Sequence, residues 1–178
     1  MYLSNLTVHM FFLLAVGLFA SIPKVDQWLT TTIYSLPTGQ YSAAFSTYIL
    51  PVNFVVCLWA APNIGVYLYR YGVEMVLVNG LFKSLLDRPR PRDSLFLTGT
   101  TAFYAPLHGI RFTKNYRLNQ SFPSGHVATI YLTYSLLTGT LATWYAVVLG
   151  LTFFARINAG AHHFSDCVWA LIICQFFL

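Results

Sequence analysis

Three short stretches carry residues whose types and spacing could do chemistry. The densest is Arg156-Ile-Asn-Ala-Gly-Ala-His162-His163-Phe-Ser-Asp166. Read as a helix start, His162 and Asp166 stand four residues apart on one face. A carboxylate there could accept one ring N–H and leave the other nitrogen unprotonated and nucleophilic. Arg156, across a glycine-containing turn, could fold back as an anion fork. A helix-end ion pair beside an incidental histidine would give the same pattern, although ionisable residues between apolar runs are functional by default.

The second stretch is Phe122-Pro123-Ser124-Gly125-His126, followed by an apolar run. Proline is tolerated at a helix start, and Ser124 can cap. Gly125 lets a backbone N–H approach a ligand, and a helix N-terminus with free N–H groups attracts an anion, phosphate above all. His126 on the first turn could protonate a leaving oxygen. A plain N-cap with an interfacial histidine is the alternative. The third stretch is Lys83-Ser-Leu-Leu-Asp87-Arg88-Pro89-Arg90-Pro91-Arg92. Pro89 and Pro91 force the preceding arginines towards extended backbone, so the chain leaves its helix in a fixed direction. These cations suit an anion site. Alternatively they snorkel to lipid headgroups, with Lys83 paired to Asp87; for Arg88 and Arg92 that reading is preferred.

The elements that must position these groups are membrane helices. The chain has 178 residues, 57% hydrophobic and 8% charged, with a mean hydropathy of +0.61. A soluble domain carries roughly a quarter charged residues. The expectation is therefore one domain over residues 1–178, an all-α integral membrane protein with six transmembrane helices in one bundle. The first apolar run, Leu6 to Ile22, has no basic residue before it and reads as a retained helix. The predicted spans are 4–22, 43–67, 72–86, 124–137, a fifth ending near 157, and 162 to the end. The third is short and could begin nearer Val66, and Pro51 and Pro62 should kink or end the second. Residues 28–41 read as an interfacial segment or loop. Cys57, Cys167 and Cys174 all sit in apolar runs and read as small buried hydrophobes.

Alternation of direction then puts Lys83, Ser124, Arg156 and His162 at one membrane face. Of the ten lysines and arginines, all but Arg70 fall on that face. Taken literally, the positive-inside rule makes it cytoplasmic, but several of these cations are candidate site residues. In the loop between the Lys83–Arg92 and Phe122–His126 stretches, Arg111, Lys114 and Arg117 recur every three residues among Ile110, Phe112 and Tyr116. As a helix this is a basic stripe beside an aromatic face, suited to a large or second anionic headgroup or to anionic lipid in general.

Lys83…Arg90-Pro91, then Pro123-Ser124-Gly125-His126, then Arg156…His162…Asp166 resembles the tripartite signature of the type 2 phosphatidic acid phosphatase family of membrane lipid phosphatases. Order and spacing both fit. The family usually has Ser before the third-motif arginine, where this chain has Ala155. His163 beside the proposed nucleophile would face about 100° away on a helix. The resemblance implies a metal-free phosphomonoesterase needing no cofactor. His162 would attack phosphorus to form a phosphohistidine, Asp166 would hold its tautomer, and His126 would protonate the leaving alcohol. Lys83, Arg90, Arg156, Ser124 and the Gly125 N–H would hold the phosphoryl oxygens.

The chain's size, with almost nothing outside the bilayer, resembles bacterial lipid A 1-phosphatases and phosphatidylglycerophosphate phosphatases. Lipid A 1-phosphate is the favoured substrate on the strength of the basic loop, with phosphatidylglycerophosphate and undecaprenyl pyrophosphate as alternatives. The resemblance places the enzyme in the bacterial inner membrane with its site facing the periplasm, against the charge count. Its expected partners are the lipid substrate and the bilayer, with no nucleic acid and no obligate protein partner. A non-catalytic anionic-lipid binder and a transporter are the readings from other classes. A transporter should carry charge within several helices, whereas the membrane-depth charges other than Glu74 gather at one edge. The chain is too short and apolar for a vanadate haloperoxidase.

Overall fold

The computed structural model describes residues 2–60, 63–83, 86, 88–93 and 121–177. The basic stripe Arg111, Lys114 and Arg117, and the suggested Lys83–Asp87 pair, lie outside the described residues. Every element among the described residues is helical: α1 (Tyr2–Ala20), α2 (Pro23–Tyr34), α3 (Gly39–Ala60), α4 (Ile64–Glu74), a π-helical segment (Met75–Phe82), α5 (Gly125–Leu136), α6 (Gly139–Asn158) and α7 (Phe164–Phe177). Among those residues α3 and α6 are long and apolar enough to cross a membrane, and the bent pair Met10–Ala20 with Pro23–Tyr34 passes as a third candidate. The expected count of six spans is thus not reproduced by length and composition.

α1 ends where Ser21 turns its hydroxyl onto the Gly17 carbonyl at 2.8 Å. Pro23 then opens α2, since its missing N–H would be unpaired there anyway. The two helices meet at 75°. Residues 28–34, read from sequence as loop or interface, belong to α2. This helix buries Asp26 and Thr30, one turn apart, against the start of α7. The polar pair is hidden, which is why hydrophobic patterning misses the helix.

α3 shows the same inversion. Its buried residues are Ser42, Ser46, Asn53 and Cys57, while Tyr48, Val52, Val55 and Trp59 are exposed. Small and polar groups face neighbouring helices and large apolar ones face outward, as expected when lipid is the solvent. α3 ends at Ala60, before Pro62. A new helix is capped by Asn63, whose side chain accepts from the Val66 N–H at 3.1 Å. α4 runs without a break into the π segment, so the helix predicted over 72–86 begins near Ile64, close to the Val66 start that its shortness suggested.

α5 is the centre. Val127, Ala128, Ile130, Leu132 and Thr133 are all buried around its circumference, the signature of a helix packed on every side. It touches α3, α4, the π segment, α6 and α7. The main core joins Val78, Val127, Ala128, Ile157, Cys167 and Ala170. The three cysteines are buried and free, as expected.

Candidate active site

The three motifs meet through their backbones. The Arg92 N–H donates to the Gly160 carbonyl at 3.1 Å, the Ser121 N–H to the Arg88 carbonyl at 3.0 Å, and the Ser124 N–H to the Asp166 carbonyl at 3.2 Å. Each bond joins a different pair of motifs. The third motif is shaped by the end of α6. Gly160 takes a left-handed backbone, φ 64°, which turns the chain back so that the Ala161 and His162 N–H groups both donate to the Arg156 carbonyl at 3.1 Å. Arg156 and His162 are thereby fixed relative to each other through the backbone.

His162 and His163 both precede α7 instead of lying on it, so the helical-face argument that separated them does not apply. Their surroundings separate them. His162 is 2% exposed, and its ring feels Arg156, Asp166 and Lys83. The His163 ring is governed by Arg88, Asp166 and Asp26 and belongs to a structural ion network. Burial, then the Arg156 charge, holds the His162 imidazole well below its usual pKa, so it is neutral near pH 7.

The tautomer of His162 is set differently from the sequence reading. Its Nδ1 lies 2.5 Å from the Ser121 carbonyl oxygen and 3.9 Å from the Asp166 carboxylate. A carbonyl only accepts, so Nδ1 carries the proton and Nε2 keeps its lone pair. Asp166 acts one step back. Its Oδ2 accepts from the Ser121 hydroxyl at 2.5 Å and from the His163 N–H at 2.8 Å; the second bond is the carboxylate half of a capping box. The His163 ring is nearer to this carboxylate, at 3.3 Å, than the His162 ring is.

Arg88, read as a headgroup cation, is instead 1% exposed. It bridges Asp166 and Asp26, the latter at 2.7 Å, and donates to the Ser165 hydroxyl at 2.7 Å. Asp26 also accepts from the Ser165 N–H at 2.9 Å. α2 thus holds the start of α7 by a buried acid–base–acid chain. A charge pattern alone does not reveal this, because Asp26 stands more than sixty residues from Arg88 in sequence. Asn158 is another residue that sequence reading passed over. Its amide donates to the Ile33 and Leu36 carbonyls and accepts from Thr38 and Ser42, fixing the α2–α3 link to the end of α6.

Two of the predicted anion-binding groups, Lys83 and Arg156, lie close enough to bear on the neutral imidazole. The Lys83 and Arg156 charges act on both the His126 and His162 rings, and those of Arg90 and Arg156 act on Lys83. Ser124 Oγ, Arg90 Nε and Arg156 Nε are buried with no hydrogen-bond partner among the described residues, although the Ser124 hydroxyl lies beside the weakly polar Cys167 thiol. Buried donors without partners are costly, and the oxygens of an anion are acceptors for donors of this kind. His126 is partly buried, its Nε2 3.1 Å from the Ser46 carbonyl, which makes Nε2 the protonated nitrogen and Nδ1 the one free to exchange a proton. Gly125 has a second reason to be glycine: a Cβ there would collide with the Asn79 amide. Ala155, in place of the usual serine, is buried in the wall of an apolar groove with Leu151 and Phe154.

Residues 63–178 match the PAP2 superfamily, and the chain belongs to that family of membrane-associated phosphatases of phosphorylated lipids. No curated protein and no solved structure matched the chain. The family match begins at Asn63, so α1, α2 and α3, including Asp26, stand outside it while contributing to the site's support.

Proposed function

We propose that the chain is a metal-independent phosphatase that hydrolyses a phosphomonoester on a membrane lipid headgroup through a phosphohistidine. The observation that carries this reading is the set of buried donors on Ser124, Arg90 and Arg156, without a hydrogen-bond partner among the described residues, together with a neutral imidazole whose Nε2 lone pair is fixed by the Ser121 carbonyl. In the first step His162 Nε2 bonds to phosphorus, the ester P–O bond breaks, and His126, having taken up a second proton at Nδ1 beside the bound phosphate, gives that proton to the departing oxygen. In the second, water attacks the phosphorus, His126 takes its proton, the N–P bond breaks, and inorganic phosphate leaves with His162 neutral again. Phosphoryl transfer needs mainly positioning and positive charge around the equatorial oxygens, and Lys83, Arg90, Arg156 and the α5 N-terminus supply both.

A lipid substrate is supported by an apolar cavity of about 310 Å³ lined by Phe82, Leu86, Phe122, Trp169 and Ile172. Phe82 and Phe122 are chain neighbours of Lys83 and Ser121, so an acyl chain could lie there with its phosphate among the cations. Within the lipid phosphates, lipid A 1-phosphate is the leading candidate, from the basic stripe Arg111, Lys114 and Arg117; phosphatidylglycerophosphate and undecaprenyl pyrophosphate are the rivals. The proposed setting is the bacterial inner membrane, in a six-span arrangement with the site facing the periplasm. A phosphate-release panel over purified lipids, in detergent with chelator, tests the reading. Release by wild type and none by His162→Ala supports it. Equal slow release by both would favour a lipid binder instead.

A further inference from the structure

The π-helical segment ends one residue before Lys83, and it does more than carry that lysine to the site. Lys83 is a flexible cation with like charges on Arg90 and Arg156 acting on it. Left to itself, such a side chain relaxes away from the other two. It does not, because its Nζ donates to Asn79 Oδ1 at 2.8 Å. The Asn79 amide is itself held from behind: its Nδ2 donates to Glu74 Oε1 at 3.0 Å. Glu74 is 0% exposed, and its other oxygen accepts from the Thr129 hydroxyl at 3.2 Å.

The order of these groups leaves one arrangement. An ammonium only donates, so the carbonyl end of the amide must face Lys83 and its NH₂ end faces Glu74. Flipping the amide would set oxygen against oxygen and donor against donor. The backbone supports the same order. Glu74 and Asn79 are five residues apart, the hydrogen-bond spacing of a π-helix; on an α-helix they would point about 140° apart. The amide also packs against the Gly125 position at the head of α5. It therefore touches two of the three motifs without belonging to either.

We propose that Asn79 is a positioning residue that Glu74 orients and that aims the Lys83 ammonium at the bound phosphate. This rests on the phosphatase reading for its ligand, but it is tested by binding and not by turnover. The probe is inorganic phosphate, titrated into detergent-purified wild type, Asn79→Ala, Lys83→Met and the double variant. Each single change should weaken binding about tenfold, as loss of a hydrogen bond to a charged group does, and the double should bind no more weakly than Lys83→Met. A merely structural role would weaken binding equally in both lysine backgrounds. That additive result, or an unchanged Asn79→Ala, overturns the proposal, as does a wild type that binds no phosphate. Asn79→Leu, which keeps the volume, replaces Asn79→Ala if the smaller variant does not fold. Coupling without turnover would sink the catalytic reading alone; turnover without coupling would sink this one alone.

Discussion

The Ser121 carbonyl, 2.5 Å from His162 Nδ1, fixes which nitrogen of that imidazole is free. The carboxylate expected to do so, Asp166, works through the Ser121 hydroxyl instead. Ser121→Ala removes that hydroxyl and leaves the carbonyl less firmly held. The expected result is a loss of roughly tenfold in kcat/KM on a short-chain lipid phosphate, from about 1–2 kcal/mol. The variant should still fold, because the His163 N–H and Arg88 remain on Asp166.

Arg88→Met leaves Asp26 and Asp166 buried and facing each other without their shared cation. Removing one partner of a buried ion network costs about 3–5 kcal/mol. Thermal unfolding in detergent should show a large drop in midpoint, and Asp26→Asn added to Arg88→Met should recover part of it. A surface cation at this position would give almost no change.

Gly160→Ala should fail for two reasons. The position has φ 64°, which L side chains rarely adopt, and the new Cβ would meet the Tyr34 ring at 2.6 Å and Arg92 Cβ at 3.0 Å. A loss of at least about 1 kcal/mol from the backbone alone is expected. Activity should fall further than stability, since this turn sets Arg156 against His162. Activity and unfolding midpoint measured on the same sample check it.

The candidate site stands out in the sequence more than the scaffold that holds it. Lys83, Arg90, His126, Arg156 and His162 are noticeable because charged and imidazole groups are rare in an apolar chain, and α5, α6 and α7 follow from their apolar runs. Asp26, Ser121, Asn79 and Asn158 stayed hidden because their partners are distant in sequence, or because a local hydrogen bond at π-helical spacing has no α-helical signal. α2 was missed for a related reason: its buried face is polar.

Acid should loosen the fold through the two loop histidines. Burial lowers the folded-state pKa of both His162 and His163 below the usual value. The unfolded chain therefore takes up protons near about pH 6.5 that the native state does not. Stability is full above that pH and falls as the pH drops below it, until the folded imidazoles also protonate. Unfolding midpoints from about pH 7 down to about pH 5 should decline, and His163→Gln should make the decline shallower. A flat profile would contradict the burial of both rings.

His162 Nε2 is the atom proposed to take the phosphoryl group. Rapid quench of the enzyme turning over a short-chain lipid phosphate, followed by peptide mass spectrometry under alkaline conditions that spare phosphohistidine, tests it most directly. Phosphate should appear on His162 in the wild type and be absent from that peptide in His162→Ala. Phosphate on His163, or phosphate release undiminished in His162→Ala, would contradict it.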